Sequence, residues 1–510
     1  MFGSIFSYCR VLLIVLSFAG MLFSVWKSRH RLWVELRWVP SVYLWGLVFL
    51  ILVPAVFYTC FITPVHVIED ESYYQLAAKN ILTSGHLGNL PKSTGWAFLI
   101  FLGYLSGGIN NYVSIHLSQL LGAGAIVGIF FLAVWAGLSL KVAFTAASLF
   151  TFVPARMFWA TTGESHTASI FFVIWAAAFS FLLYRNSDRN IFGLAISVWV
   201  FGALVRSETV LLFLFFLVCI RLFVSKHRCK ELPFSKALCW AAIILMPQMI
   251  LGAGHVFFRP WVLTGPNVSA GNFLHNAASY GADFLIGRVH PVLLTLSAIL
   301  GLAVLYRREK KVAGMLAGWL LLLSLTYFSM WFQNYGEATG MFFKTRLFVF
   351  FYPPMVLCAA CGLVGLADKC TFCHKAVGAA VLCGGIIVWS ILYYRNYSLG
   401  SDEFVLEMRL VDQITETVKS HDMAVACFPE EFTSALPSFM ATDIAWFLQE
   451  PLWRKEAFQK VHEVYLIDDM FSHRRCQESV SFIKEKGKAV LVKQWKQGNA
   501  RATVYSLSPF

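Results

Sequence analysis

Three consecutive acidic residues open the polar segment that follows the second apolar stretch of the chain. The segment reads His66-Val67-Ile68-Glu69-Asp70-Glu71-Ser72-Tyr73-Tyr74-Gln75-Leu76-Ala77-Ala78-Lys79-Asn80-Ile81-Leu82-Thr83-Ser84-Gly85. Its second half has the apolar spacing of a short helix, which Gly85 would end. One acid is enough to favour a helix N-terminus, whereas three crowded carboxylates repel one another. The run therefore predicts a proton-accepting or cation-binding site, with a simple helix cap as the alternative.

The composition of the whole chain excludes a water-soluble globule. The 510 residues carry a net charge of +13, and 58% of them are apolar while only 14% are charged. A soluble domain contains roughly 25% charged residues, and disordered chains are poor in apolar ones. We therefore expect a multi-pass integral membrane protein.

Acidic residues are concentrated near the C-terminus, which predicts a domain boundary. Sixteen of the 28 Asp and Glu residues lie between Asp402 and Glu485. We expect an N-terminal transmembrane helix with a basic cytoplasmic loop (1–38), a membrane-embedded body that includes the acidic loop 64–109 (39–394), and a soluble domain (395–510).

Hydropathy predicts about twelve spanning segments, most of them long enough to cross a hydrocarbon core. They lie at 11–26, 39–63, 110–136, 140–157, 165–184, 190–206, 208–224, 236–258, 290–306, 312–332, 346–367 and 376–394. A signal peptide is the alternative for the first segment, although no small-residue cleavage site precedes its basic flank.

Basic residues fall in alternate loops of this arrangement. The clusters are Lys27/Arg29/Arg31/Arg37, Lys141, Arg185/Arg189, Lys226/Arg228/Lys230/Lys236, Arg307/Arg308/Lys310/Lys311 and Lys369/Lys375. The positive-inside rule makes these loops cytoplasmic, so the acidic loop and the C-terminal domain lie outside, as expected for a bacterial inner-membrane protein. The concentration of Lys and Arg in cytoplasmic loops accounts for the net positive charge of the chain, so no nucleic-acid partner is needed to explain it. The predicted fold class is an all-α polytopic membrane protein with a small C-terminal α/β extracytoplasmic domain.

The seven acids of the membrane body that do not sit in basic loops share the outer side. They are Glu69, Asp70, Glu71, Glu164, Glu208, Asp283 and Glu337. Ionisable groups near membrane depth are costly and usually functional, so we expect an outward-facing site.

Five short motifs follow one another between residues 39 and 370. They are Asp70-Glu71 with Tyr73/Tyr74, Ala77 and Gly85; Lys92-Ser93-Thr94-Gly95-Trp96; Pro154 to Gly163-Glu164-Ser165; Arg206-Ser207-Glu208; and Arg346-Leu347-Phe348 with Pro353-Pro354. Their order and shared side resemble GT-C glycosyltransferases, in the branch that contains protein O-mannosyltransferases and the lipid A aminoarabinose transferase. Ser207 and Leu347 depart from that pattern, which has Pro and Tyr at these places.

The resemblance implies a GT-C-like membrane glycosyltransferase that needs no cofactor. It would move a sugar from a polyprenyl-phosphate donor, held within membrane lipid, to a glycolipid, glycan or protein acceptor outside the cytoplasm. Asp70 is the expected base that deprotonates the acceptor hydroxyl, and Glu71 is its catalytic neighbour.

The remaining predicted site residues would bind substrate. Arg206, Lys344 and Arg346 suit the phosphate of the donor, because a guanidinium can make a bidentate contact and the leaving group develops negative charge. Tyr74 and Glu164 complete the predicted set.

Structural roles are the alternatives for several of these residues. Arg206 and Arg346 also suit arginines that reach to the membrane surface, and Glu164 and Glu208 also suit helix caps.

Two other functional readings remain open at this stage. A divalent cation could bind His66 and His86 with Glu69 or Asp70, although their spacing matches no dedicated metal motif. A transporter or lipid flippase could use the same carboxylates for ion coupling, but the sequence lacks the paired halves common in transporters.

The C-terminal segment has the alternating pattern of a small α/β unit. Helices are predicted at 405–419 and 476–486, strands at 423–428 and 461–467, and a strand pair at 490–494 and 502–507 around the turn Gln497-Gly498-Asn499. Cys427 and Cys476 are the two cysteines of this segment, and they could form a disulfide in an oxidising compartment.

Overall fold

Helices dominate the computed structural model of the protein. It describes residues 2–61, 70–87, 93–110, 112–223, 232–258, 270–281, 290–329, 348–368, 381, 383–392, 422–426, 441–443, 447–448, 462–468, 476–497 and 500–509. The helices before residue 260 are α1 (Phe2–Arg37), α2 (Ser41–Phe61), α3 (Asp70–Ser84), α4 (Gly95–Gly107), α5 (Tyr112–Trp135), α6 (Leu140–Thr151), α7 (Pro154–Trp159), α8 (Ser165–Asn186), α9 (Arg189–Val205), α10 (Thr209–Phe223) and α11 (Phe234–Phe258). Those that follow are α12 (Ala270–Asn276), continued by a π-helical turn (Ala277–Gly281), α13 (Val292–Arg308), α14 (Lys310–Ser329), a 3₁₀ turn (Val349–Phe351) leading into α15 (Tyr352–Ala367), α16 (Cys383–Leu392) and α17 (Gln477–Lys486).

Within the described part of the chain, five helical segments are long and apolar enough to cross a membrane. They are Phe6–Arg37, Tyr112–Trp135, Ser165–Asn186, Lys310–Ser329 and Val349–Ala367. On α2, Trp45, Phe49 and Leu52 are more than half exposed (73%, 64% and 54%), as expected where lipid rather than water surrounds the helix. The chain is an integral membrane protein, while the count of about twelve spans stays a prediction.

The predicted span 140–157 is wrong in its extent. Helix α6 ends at Thr151, and a separate short helix, α7, begins at Pro154. Val153 between them is extended (φ −61°, ψ 119°), because a residue before proline is disfavoured in the helical region. The break turns residues 154–164 into a separate segment that contributes to the site described below.

Small residues allow α13 and α15 to pack backbone against backbone. A Cβ added at Gly301 would lie 1.6 Å from the Cys358 carbonyl oxygen, and one added at Gly362 would lie 2.4 Å from that of Ser297. Close contact of this kind is a usual way for helices to associate in a membrane.

The N-terminal turns of α1 hold the far end of α3. The Ser7 hydroxyl accepts a hydrogen bond from the Leu87 N–H at 2.9 Å, and the Tyr8 hydroxyl donates to the Ser84 carbonyl at 3.2 Å. Further along α1, Phe18 packs on Phe98 of α4. Helix α1 thus helps to position the acidic segment.

A five-stranded sheet forms after the last described apolar helix. Its strands are β1 (Met423–Ala426), β2 (Ala441–Asp443), β3 (Val464–Asp468), β4 (Val490–Gln497) and β5 (Ala500–Leu507). Their order is β2-β1-β3-β5-β4; β1 pairs in parallel with β2 and β3, and β5 pairs antiparallel with β3 and β4. The alternating pattern predicted β1, β3 and the final hairpin, whereas the three-residue β2 was missed because it is too short to show a period.

Parts of the C-terminal prediction lie outside the described residues. These are the helix at 405–419, the boundary near residue 395 and Cys427. Cys476 is disulfide-bonded, and its pairing with Cys427 stays a prediction.

Candidate active site

Glu71 is a buried carboxylate in the first turn of α3. Its Oε1 accepts hydrogen bonds from the Ser114 hydroxyl of α5 at 2.8 Å and from the Gln75 amide at 3.1 Å. Its Oε2 accepts from the Gly163 N–H at 3.2 Å. Because two of the three donors, Ser114 and Gly163, come from distant parts of the chain, Glu71 fixes α3 against α5 and the segment that precedes α8.

Residue 163 must be glycine for this contact to form. A Cβ at Gly163 would lie only 1.7 Å from Glu71 Oε1 and 2.4 Å from Ser114 Oγ. The Gly163 carbonyl in turn accepts a 2.7 Å hydrogen bond from the indole of the fully buried Trp96. Both sides of the Gly163 backbone are therefore held, which fixes the position of the next residue, Glu164.

Glu164 is buried at the N-terminus of α8. Its backbone is extended, and its carboxylate accepts from the Ser165 N–H at 3.2 Å. The predicted cap role is thus present, and it is compatible with a second role because the charge of Glu164 also acts on Tyr74 and Arg206.

Arg206 lies where the chain leaves α9, at the same end of the bundle. Val205 is the last residue of α9, and Arg206 is extended (φ −154°, ψ 123°) before a turn into α10. Its Nη2 and Nε donate to Glu208 Oε1 at 2.8 and 3.1 Å, and its Nη1 lies 2.9 Å from His166 Nδ1. Nη1 also lies 3.4 Å from His166 Nε2, and since a guanidinium only donates hydrogen bonds, the ring acts as the acceptor in this contact.

The Arg206–Glu208 pair is mostly shielded from solvent. The side-chain exposure is 16% for Arg206 and 28% for Glu208. Burial lowers the pKa of Arg206, but the carboxylate of Glu208 and other nearby groups outweigh burial and raise it overall. Arg206 is therefore a permanent cation, not an arginine that extends freely into water.

Tyr74 and Tyr327 contribute phenols near this cation. Tyr74 is 5% exposed, and burial, reinforced by the charge of Glu164, raises the pKa of its hydroxyl. Tyr327, from the last turns of α14, acts electrostatically on Arg206. A phenol whose pKa is raised stays protonated at neutral pH and can donate a hydrogen bond to an anion.

His166 and Arg156 are two further residues near the cluster that the sequence motifs did not indicate. The ring of His166 lies 4.3 Å from that of Trp159, in addition to its contact with Arg206. Arg156 is 2% exposed and donates to the backbone carbonyls of Thr151 and Gly122 at 3.1 and 2.8 Å, so it fastens the break between α6 and α7. Arg156 lies within the motif Pro154–Ser165, and His166 directly follows it, but the sequence singled out Glu164 alone as a site residue there.

Comparisons with known proteins support a particular fold. No protein-family model and no curated protein matches the chain. The structure of ArnT from Cupriavidus metallidurans in the apo state has a TM-score of 0.58 at 13% identity, covering 92% of this chain and 98% of ArnT. ArnT bound to undecaprenyl phosphate gives 0.57 at 12% identity, with 90% and 97% covered. The oligosaccharyltransferase of Archaeoglobus fulgidus in the apo form gives 0.54 at 12% identity, covering 86% of this chain and 71% of that one.

Both neighbours are GT-C glycosyltransferases. The chain has a GT-C fold. The fold that the sequence motifs implied is therefore confirmed. At 12–13% sequence identity, the resemblance could be recognised from these motifs and not from overall sequence similarity.

Three of the predicted site residues of this GT-C fold come together. Tyr74, Glu164 and Arg206 lie within electrostatic range of one another, and Glu71 is connected to them through Gly163. Asp70 is the first residue of α3, and the structure describes its backbone.

Other predicted site residues of the GT-C fold lie outside the described part. They are Lys344, Arg346, His66 and Glu69. Among the described residues there is no group of three metal-binding side chains, and His86 packs edge-on against Tyr8. The roles of Lys344 and Arg346 and the question of a divalent cation remain at the level of the sequence prediction.

Proposed function

We propose that this protein is a membrane glycosyltransferase that moves a sugar from a polyprenyl-phosphate donor to a glycolipid, glycan or protein acceptor outside the cytoplasm. The observation that carries the proposal is the Arg206 cluster, defined as Tyr74, Glu164, His166, Arg206 and Glu208, at one end of a GT-C bundle. It combines a fixed cation, a protonated phenol and carboxylates at one site.

The cation suits the leaving group of such a transfer. Glu208 and His166 engage three of the five N–H groups of Arg206. Among the contacts of the described residues, one N–H on each terminal nitrogen is left for a ligand. Two such donors match the oxygens of a phosphate, on which negative charge builds as the glycosidic bond breaks. The solved ArnT complex contains undecaprenyl phosphate, a ligand of this chemistry.

In the proposed reaction the acceptor hydroxyl attacks the anomeric carbon directly. The new bond joins the acceptor oxygen to that carbon, and the bond from the carbon to the phosphate oxygen breaks with its electron pair on the polyprenyl phosphate. Asp70 takes the hydroxyl proton. Arg206, with the Tyr74 hydroxyl, stabilises the departing phosphate, and Lys344 and Arg346 are proposed to assist.

Glu71 is a poor candidate for the base, because its carboxylate already accepts three hydrogen bonds. Both carboxylate oxygens are engaged by donors of the protein, so neither is placed to meet an acceptor hydroxyl. Glu71 is a positioning residue in this proposal, which holds Asp70 and Tyr74 at the start of α3.

The pair Asp70→Asn and Glu71→Gln separates these roles. With purified protein in liposomes and a polyprenyl-phosphate monosaccharide, we expect Asp70→Asn to lose transfer by about 10²–10⁴-fold while still binding the lipid and unfolding at the wild-type temperature. Glu71→Gln should lower the unfolding temperature as well as transfer. Unchanged turnover in Asp70→Asn would remove Asp70 from the mechanism.

A comparison of envelope glycans tests the function as a whole. Mass spectrometry of glycolipids and glycoproteins, with and without the gene product, should show one sugar missing from one acceptor class. An identical glycan profile together with altered uptake or export of a solute would replace the transferase with the transporter.

A further inference from the structure

A cavity of about 380 Å³ lies between α1, α9 and α11. Three cationic residues line it, one from each helix: Lys27, Arg189 and Lys236. All three are exposed. The cavity is therefore a place where positive charge from separate helices converges.

This cavity is at the opposite end of α9 from the Arg206 cluster. Arg189 is the first residue of α9, and Arg206 directly follows its last. A helix of 17 residues is about 25 Å long at 1.5 Å per residue. The two sites are separated by most of the thickness of a hydrocarbon core, so the cavity is not a part of the proposed active site.

The three cations have no carboxylate partner among the residues that the structure describes. The nearest acid in sequence, Asp188, accepts from the Asn190 and Ile191 N–H groups at 2.7 and 3.1 Å and caps α9. The Lys27 ammonium lies 5.0 Å from the centre of the Phe23 ring, which leaves its own N–H donors available. Among the described residues, no carboxylate is paired with the positive charge of the cavity, and that charge is accessible.

The rest of the lining is suited to an amphiphile. Apolar surface comes from Phe23, Phe192 and Trp240. A polar spot is provided by Ser24 and Ser197, whose hydroxyls lie 3.2 Å apart. A free inorganic anion would contact only the cationic rim, whereas a phospholipid would use both parts of the cavity.

We propose that this cavity binds the phosphate headgroup of an anionic phospholipid from the leaflet at that end of the bundle. Lys27, Arg189 and Lys236 contact the phosphate, and the glycerol and upper acyl chain lie against Phe23 and Trp240. Basic cavities between transmembrane helices suit such headgroups. Because the lipid would touch α1, α9 and α11, it would also hold α1 onto the body.

Binding of phosphatidylglycerol to the full-length protein in nanodiscs tests this, with native mass spectrometry as the readout and phosphatidylcholine as the background lipid. We expect the triple variant Lys27→Gln, Arg189→Gln, Lys236→Gln to lower the affinity for the tightest phosphatidylglycerol by about tenfold or more. The matched control is Arg307→Gln, Lys310→Gln, Lys311→Gln, which removes the same charge from exposed residues at the same end and should leave this binding unchanged.

A second variant blocks the cavity without changing its charge. Gly193 lines the cavity, and a Cβ there would meet nothing within 4 Å. Gly193→Leu should therefore displace the lipid while the protein folds normally. Gly314→Leu, at another helical glycine with open space, is its control.

Three results would overturn the proposal. The first is phosphatidylglycerol binding that survives both the triple variant and Gly193→Leu. The second is an equal loss in the two control variants. The third is release of the bound lipid by 10 mM inorganic phosphate or glycerol phosphate, which would show a site for a free phosphate instead. None of these measurements depends on transferase activity.

Discussion

The two ends of α9 carry positive charge in opposite ways. At the C-terminal end, Arg206 is mostly shielded from solvent, with Glu208 and His166 around it. At the N-terminal end, Arg189 is exposed, with Lys27 and Lys236 lining the same cavity. A buried charge is retained only where partners compensate its loss of water, whereas exposed cations stay hydrated and can receive a mobile anion. The first arrangement suits a site with fixed geometry, and the second suits a headgroup that exchanges with the membrane.

The largest effect is expected where the backbone supports the Arg206 cluster. Gly163→Ala places a methyl group on the Glu71 carboxylate and forces a buried, hydrogen-bonded charge to move. We expect the free energy of unfolding to fall by about 2–4 kcal/mol and transfer to fall at least about 100-fold. Chemical denaturation and a turnover assay measure the two quantities.

The control for this change is Gly314→Ala, since a Cβ at Gly314 meets nothing within 4 Å. In the interior of α14 this substitution should leave transfer unchanged and stabilise the helix by about 0.5–1 kcal/mol. Wild-type stability in Gly163→Ala would show that the Glu71–Gly163 contact does not hold the site.

A smaller effect is expected when Arg206 loses its carboxylate. Glu208→Gln keeps the shape of the side chain but leaves the shielded guanidinium uncompensated, which should cost about 1–3 kcal/mol of unfolding free energy and weaken transfer.

Glu35→Gln is the comparison, because Glu35 pairs at 3.2 Å with Arg31, whose side chain is 41% exposed against 16% for Arg206. Its loss should cost less than about 1 kcal/mol. Equal costs for the two pairs would contradict the claim that the shielding of Arg206 makes its carboxylate partner the more costly one to remove.

The smallest effect is expected at His166. His166→Phe keeps an aromatic ring against Trp159 but removes the acceptor for Arg206, so we expect a loss of about 1 kcal/mol in transition-state stabilisation, or roughly fivefold in kcat/KM. His116→Phe, at an exposed histidine of α5, should not change kcat/KM. A wild-type value in His166→Phe would remove His166 from the cluster.

The sequence predicted the membrane character and most helix positions, because apolar runs of spanning length are a strong signal. It did not predict the helix break after Thr151. The residues on both sides of Pro154 are apolar, so hydropathy alone predicts one continuous span there. Glu71, Glu164 and Glu208 could be singled out in the sequence because acidic residues are rare in so apolar a body.

Contacts between distant residues could not be predicted in this way. The sequence placed Glu71 beside Asp70 but could not show that Ser114 and Gly163 would saturate its carboxylate. Nor could it show that His166 would meet Arg206, since a histidine in an apolar helix has no periodic signal. The cavity at Lys27 was missed for a similar reason: positive loops predict sidedness, not the convergence of three helices.

The most direct test asks whether the lipid donor binds at the Arg206 end of α9. It uses photo-crosslinking with a polyprenyl phosphate that carries a diazirine close to its phosphate. The full-length protein would be reconstituted with phosphatidylglycerol in large excess, so that ordinary anionic lipid competes for the cavity at Lys27. We predict labelled peptides from α3, from the start of α8 and from the α9–α10 turn, and loss of that label in Arg206→Gln. Labelling confined to Lys27, Arg189 and Lys236, with none at the Arg206 end, would contradict the account.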